Sequence, residues 1–254
     1  MSDILTSTDA GVMTLTLNRV DKKNAITAAM YAEMAKALHG AAADASVRVF
    51  VMQGHESVFC AGNDIGDFLQ RPPAREDAPV YGFLQELAAF HKPMVAAVCG
   101  VAVGVGTTML LHCDMVYAGD NAVFSLPFVN LGICPEAGSS LLLAQMIGFH
   151  RAAEILLLGE PFKADAALDM GLVNRIVPAG QANALAQAQA RKVAAKPMSS
   201  LLETKRLMKK AQSSLVALQM ADEGATFARM LNEPAAREAL SAFMEKRKPD
   251  FSRM

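Results

Sequence analysis

The sequence predicts an α/β chain that closes in a block of helices, and three observations carry the prediction. Short apolar, β-branched runs alternate with amphipathic stretches as far as Pro178. From Gln181 onward Ala, Lys, Glu and Leu dominate, and Pro197, Pro234 and Pro249 are the only strong breaks. Hydrophobic residues make up 52% of the 254 positions and charged ones 19%, enough apolar side chain to bury a substantial core.

The elements follow in order. GVMTLTLNR (11–19) alternates apolar and polar residues, the period of a half-buried strand. Asn24 and Thr27 offer N-caps for a helix over AAMYAEMAKALHGAAA (28–43), on which Met30, Met34 and Leu38 share one face. VRVFVMQG (47–54) reads as a second strand, APVYGFLQELAAFHK (78–92) as a helix, and PMVAAV (93–98) as a short buried strand closed by Cys99-Gly100. MVYAG (115–119) and LVNRIVP (172–178) are further strands. Helices are expected over 181–195, 199–211, 215–231 and 235–246, with Met208, Met220, Met230 and Met244 available for core packing or for contact between subunits. The natural division is a core of residues 1–195 and a helical region of 196–254.

Composition excludes several function classes. A net charge of −1, no basic cluster, no Trp and 6% aromatic residues leave neither an electrostatic footprint nor stacking platforms for nucleic acid. The four cysteines form no C-x-x-C pair and read as small buried hydrophobes. The five histidines are scattered, so no metal site is expected. The apolar run 93–113 is long enough to span a bilayer, but Gly100, Gly104 and Gly106 punctuate it, so strand, turn and helix of a buried core are expected and no membrane contact. The opening residues carry no basic segment followed by an apolar run, hence no secretory signal. Ser252-Arg253-Met254 resembles a peroxisomal targeting tripeptide, so the expected compartment is the cytoplasm in a bacterium and the peroxisome in a eukaryote.

Three stretches carry candidate chemistry. In GVAVGVGTTM the glycines lack both the third small residue and the downstream acid of a dinucleotide fingerprint, and no Lys follows them as in a P-loop. What remains is a strand, a glycine turn and a helix starting near Val105, whose unpaired N–H groups are candidate oxyanion donors. FCAGNDIGDF (59–68) is a second turn, with Gly62 to bend the backbone and Asn63 and Asp64 to start a short helix. In LGICPEAGSS (131–140) Glu136 is the sole acid between Asp120 and Glu154, and no Lys or Arg occurs from Pro93 to His150. A carboxyl in such surroundings has its pKa raised, which suits a general base near neutral pH; capping of the helix that begins near Gly138 is the bland alternative. Ser139-Ser140 lack the nucleophile elbow of a serine hydrolase.

Together, LNRVDKKNAIT, FCAGNDI and GVAVGVGTTMLLHCDMVYAGDNAVFSLPFVNLGICPEAGSS resemble the enoyl-CoA hydratase/isomerase (crotonase) superfamily over about residues 11–178. The resemblance implies a spiral of ββα units, a C-terminal helical region that drives trimer or hexamer formation, an acyl-CoA thioester as substrate and no separate cofactor. By position, Asn63 and Val105 would supply the two backbone N–H groups that hold the thioester oxygen. Lys23, Asn24, Ala25, Ala61, Gly62, Asp64, Ile65, Gly104 and Phe128 would line the substrate site, with Lys22 or Lys23 near phosphate.

Hydratases of the superfamily use two glutamates at positions that here hold Thr108 and Phe128. The Δ3,Δ2-enoyl-CoA isomerases of the peroxisomal type are more similar, with GND, TPF-like and PEG-like motifs matching Gly62-Asn63-Asp64, Leu126-Pro127-Phe128 and Pro135-Glu136-Ala137. Glu136 is then the single base of an isomerase in fatty-acid β-oxidation. A hydratase, another acyl-CoA lyase or hydrolase, and a non-catalytic acyl-CoA-binding protein are the alternatives.

Overall fold

The computed structural model describes residues 2–70 and 78–252, so Arg253 and Met254 of the C-terminal tripeptide lie outside the described residues. β1 (Ile4–Asp9) and β2 (Val12–Leu17) pair antiparallel through Ala10 and Gly11, both at positive φ. Next come α1 (Ala28–Ala43), β3 (Val49–Gln53), α2 (Ile65–Gln70), α3 (Pro79–Ala89), β4 (Met94–Val98), β5 (Val101–Val103) and α4 (Val105–Thr108). Then follow β6 (Met115–Gly119), β7 (Val123–Ser125), α5 (Ser139–Ile147), α6 (Phe149–Leu158), β8 (Phe162–Lys163), α7 (Ala164–Asp169) and β9 (Arg175–Val177). Four helices end the chain: α8 (Ala182–Ala194), α9 (Met198–Lys209), α10 (Ser213–Met230) and α11 (Pro234–Met244).

Six strands form one sheet in the order β1-β2-β3-β4-β6-β9, parallel from β2 onward. β5, β7 and β8 form a second, short sheet, which Cys60 extends by bridging to Ala102. Strand of the large sheet, strand of the small sheet and helix therefore recur as β4-β5-α4 and as β6-β7 leading to α5. Gly100 makes the turn between the sheets possible, because at its φ of 64° a Cβ would fall 2.0 Å from the Ser57 carbonyl oxygen.

The large sheet is buried on both faces. Phe50, Met52, Met94 and Ala96 face α1 and α3 within the main core, while Val49, Val51, Val95 and Ala97 pack on Ala186, Ala190 and Ala194 of α8. This two-sided burial explains why β3 and β4 read as continuous apolar runs. The apolar run 93–113 is β4, β5, α4 and the 3-10 turn Met109–His112, and no helix among the described residues is long and apolar enough to cross a membrane.

One sequence expectation changes, and further strands add to those read from the sequence. β1 exposes all of its residues but Ile4, so its sequence shows no alternation; β5, β7 and β8 are only two or three residues long. Thr27 caps α1, accepting from the Met30 N–H, whereas Asn24 does not cap it: its fully buried amide ties Arg19 to the Val58 and Phe59 carbonyls. The C-terminal methionines divide, since Met220 and Met230 pack on the core while Met208 and Met244 are exposed.

Candidate active site

The two glycine turns meet. Cys60 bridges Ala102, so the chain after Phe59 runs beside β5 and brings Gly62 against Val103 and Gly106 against Cys60. A Cβ on Gly106 would come 2.8 Å from the Cys60 carbonyl oxygen, so glycine is what lets α4 start this close to the first turn. Ile26 and Asn63 form a bridge that ties the first turn to the segment before α1. Val105 is the first residue of α4, and Asn63 immediately precedes Asp64, which caps α2 by accepting from the Asp67 N–H at 3.0 Å. Among the described residues neither the Asn63 nor the Val105 backbone N–H has an acceptor.

A cleft of about 900 Å³ opens beside these turns. α3 and α10 flank it, and a Cβ on Gly224 of α10 would lie 3.4 Å from the Tyr81 ring of α3. Asn63, Asp64, Tyr31 and Glu136 all line it. The sequence marked the first turn and the acid separately, and the fold places them on one wall.

Glu136 is part-buried in the loop before α5. Burial pushes its carboxyl up to about 7; the Thr108 hydroxyl holds the rise back and the charge of Glu223 adds to it. Thr108 Oγ1 donates to Glu136 Oε1 at 2.6 Å. The capping alternative does not hold, because α5 begins at Ser139 with Gly138 at its cap and no side-chain cap bond. The loop turns through two successive left-handed residues, Ala137 at φ 61° and Gly138 at φ 70°.

Three contributors escaped the sequence reading. Thr108 was read only as the absence of a carboxylate, yet its hydroxyl is what Glu136 touches. Tyr31, buried on α1, donates its hydroxyl to Asn63 Oδ1 at 2.6 Å, and burial together with the Glu136 charge keeps that phenol protonated. Glu223 on α10 accepts from the Gly138 N–H at 2.6 Å, from the Ser140 N–H at 3.0 Å and from the Ser140 hydroxyl. Glu136 is isolated along the chain but not in space. A polar residue on the inner face of a helix is the sole signal that could have flagged Tyr31.

The remaining predicted residues separate into two groups. Ala61, Gly62 and Lys23 are adjacent, the Ala61 N–H donating to the Lys23 carbonyl at 3.0 Å, and Lys23 is exposed at the left-handed end of a 3-10 turn with Ala25 two residues on. Asp64 pairs with Arg19 at 2.7 Å, and the Asp67 N–H with that guanidinium holds its carboxyl below the usual range. Ile65 opens α2, and Gly104 is the N-cap of α4. Of the predicted residues, Asn63, Asp64 and Glu136 line the cleft itself, while Asn24, Val105 and Phe128 are buried behind it, Val105 and Phe128 within the main core. No cluster of metal-ligating side chains occurs among the described residues.

Residues 7–254 match the enoyl-CoA hydratase/isomerase family. The chain belongs to that family. A curated relative, 2,3-dehydroadipyl-CoA hydratase of Escherichia coli, is 34% identical over 99% of both chains. Enoyl-CoA delta isomerase 2 of Rattus norvegicus is 35% identical over 97% of this chain and 64% of its own. Among solved structures, Pseudomonas aeruginosa OdaA superposes with a TM-score of 0.93 at 46% identity, covering 96% of this chain and 99% of that one. An enoyl-CoA hydratase/isomerase from Pseudoalteromonas atlantica gives 0.94 at 37% identity, over 99% and 100%. The fold is that of the crotonase superfamily and the protein is an enzyme of it, related to both hydratases and isomerases.

Proposed function

We propose that the protein is an enoyl-CoA isomerase that moves a C3–C4 double bond of an acyl-CoA thioester to C2–C3. The observation that carries this reading is a single uncommitted carboxyl among the described residues that line the cleft, Glu136, held near neutrality and touched by one hydroxyl. The other acids lining the cleft among the described residues are committed, Asp64 to Arg19 and the α2 cap, and Asp67 to the Ala28 N–H at 2.7 Å. Adding water calls for an acid and a base, whereas shifting a double bond calls for one group that first takes a proton and then returns it.

Glu136 takes the C2 proton, and the electron pair of that C–H bond moves onto the thioester oxygen. The Asn63 and Val105 N–H groups receive the resulting oxyanion, each worth roughly 3 kcal/mol. The C3=C4 pair then takes the proton from protonated Glu136 at C4, the C1=C2 pair of the dienolate shifts to form C2=C3, and the oxyanion pair restores the thioester carbonyl. No atom is gained or lost. A base with a pKa of about 7 is matched to both halves of this exchange at neutral pH. Lys23, Ala25, Ala61 and Ile65 surround the CoA moiety in this reading.

Large apolar side chains stand exposed on α6, notably Phe149, Leu157 and Leu158, and a homotrimer or a dimer of trimers would cover them. Native mass spectrometry checks the assembly. For the reaction, 3-hexenoyl-CoA isomerisation is measured beside crotonyl-CoA hydration in the wild type and Glu136→Gln. Isomerisation with little hydration, lost in Glu136→Gln, is the expected result. Hydration that persists in that variant would overturn the assignment of the base.

A further inference from the structure

Two lysines lie one helical turn apart on α9 and meet different surroundings. Lys205 is buried and satisfied, its ammonium 2.7 Å from Asp114 Oδ2 and 2.7 Å from the Lys92 carbonyl. Lys209 is part-buried at the cleft wall, and among the described residues its side chain makes no hydrogen bond or ion pair. It is also the one permanently cationic side chain among the described residues that line the cleft. His112 beside it cannot share the charge: burial pushes it to about 4, and its Nε2 contacts the Ala137 carbonyl at 2.7 Å. Burial lowers the Lys209 ammonium below the usual lysine value, Lys205 adds to this, and Asp114 offsets part of it. A cation desolvated in this way without a partner is costly unless something anionic arrives.

The place of Lys209 along the cleft says which part of a ligand could reach it. α3 and α10 run past each other, with Tyr81 near the start of α3 facing Gly224 and Phe68 stacked edge-on against Phe227. Ala88 and Ala89, at the end of α3, line the cleft together with Lys209, Gln212 and Ser213, at the start of α10. Fifteen residues of α10 separate Gln212 from Phe227, about 22 Å of helix. Phe68 therefore lies toward the Phe227 end of α10 and Lys209 toward its start, and Asn63 and Glu136 line the same cleft. α10 begins beside Lys209 without a side-chain cap at Gln212, so its first unpaired N–H groups add positive potential there.

We propose that Lys209, with Gln212 and Ser213, forms a subsite for a carboxylate at the far end of the acyl chain, so that the substrates include acyl-CoAs ending in a second carboxyl group. This rests on reading the cleft as an acyl-CoA site. The subsite leaves the proton-transfer chemistry unchanged and selects among acyl groups by a charge-assisted contact remote from the reacting carbons.

Calorimetric titration of the full-length protein tests this with saturated acyl-CoAs of increasing chain length, each in a methyl-ended and a carboxylate-ended form. At the length that spans from Glu136 to Lys209, the carboxylate-ended ligand is expected to bind about tenfold or more tightly than its methyl-ended partner. Lys209→Met should remove that preference while leaving the methyl-ended affinities in place, and Lys209→Arg should keep most of it. No carboxylate preference at any length would overturn the proposal, as would a preference that survives in Lys209→Met. An equal loss for both series in Lys209→Met also overturns it, assigning the ammonium to a phosphate of CoA instead. Failure of every acyl-CoA to bind would strike the underlying reading of the cleft, a distinct result from loss of the preference alone.

Discussion

Glu136 and Glu223 are two acids within electrostatic reach of each other, and their surroundings are opposite. Burial raises the pKa of both carboxyls. Glu223 then receives three donors among the described residues, from Gly138 and twice from Ser140, which pull its pKa back and engage both of its oxygens. Glu136 receives one, from Thr108, and keeps its remaining lone pairs toward the cleft. An acid held by several donors is a fastener, and an acid left under-satisfied at a cleft is a candidate reagent. Glu223 clamps the loop that carries Glu136, so one carboxylate is committed to geometry and the other, in the proposed reaction, is left for chemistry.

The contrast can be broken from either side. The largest expected effect is on Glu136: Glu136→Gln should lower isomerase kcat by about 10²–10⁴-fold while leaving the thermal midpoint unchanged or higher, read by coupled assay and by calorimetry. Glu223→Ala should do the reverse first. It strands the Gly138 and Ser140 N–H groups and should cost about 3 kcal/mol in urea unfolding, with loss of kcat following from the loosened loop. Similar stability losses in the two variants would erase the distinction.

The pH dependence sharpens it further. Glu136 must be ionised to act, so kcat/KM should rise with pH and level off above about 7. The Thr108 hydroxyl lowers that value, so Thr108→Val should move the rising limb to higher pH; activity falls several-fold at pH 7 and recovers in alkaline buffer. Stability carries the opposite sign. Between 4.5 and about 7 the folded state holds a proton on Glu136 that the unfolded chain releases, so this group's contribution to stability declines as pH rises through that window. Unfolding of Glu136→Gln across the window should lack this part of the slope. Smallest of all, Tyr31→Phe should reduce kcat a few-fold by freeing the Asn63 amide, with KM little changed.

The same pair shows how far the sequence was legible. The helix over 28–43 and the strand over 115–119 coincide with α1 and β6, because period and burial agree there. Glu136 stood out because it is the sole charge in a long apolar stretch. Glu223 did not: it lies in MADEGAT, beside Asp222, and looks like the solvated face of an ordinary helix. What makes it a clamp is a bond spanning 85 positions, and no local pattern encodes contact at that range. Phe128 packs in the main core, and residue type shows only that it is apolar, not whether it faces core or cleft.

The clamp also has a meaning in time. During synthesis the Pro135–Ser140 corner emerges long before Glu223 does. At about 5–20 residues per second the wait across 85 positions lasts roughly 4–17 s. Until α10 leaves the ribosome, the loop carrying Glu136 lacks its Glu223 anchor and the cleft lacks one wall. Under the proposed mechanism, a nascent chain that already contains the two glycine turns and Glu136 still lacks the finished cleft, and competence arrives with the tail.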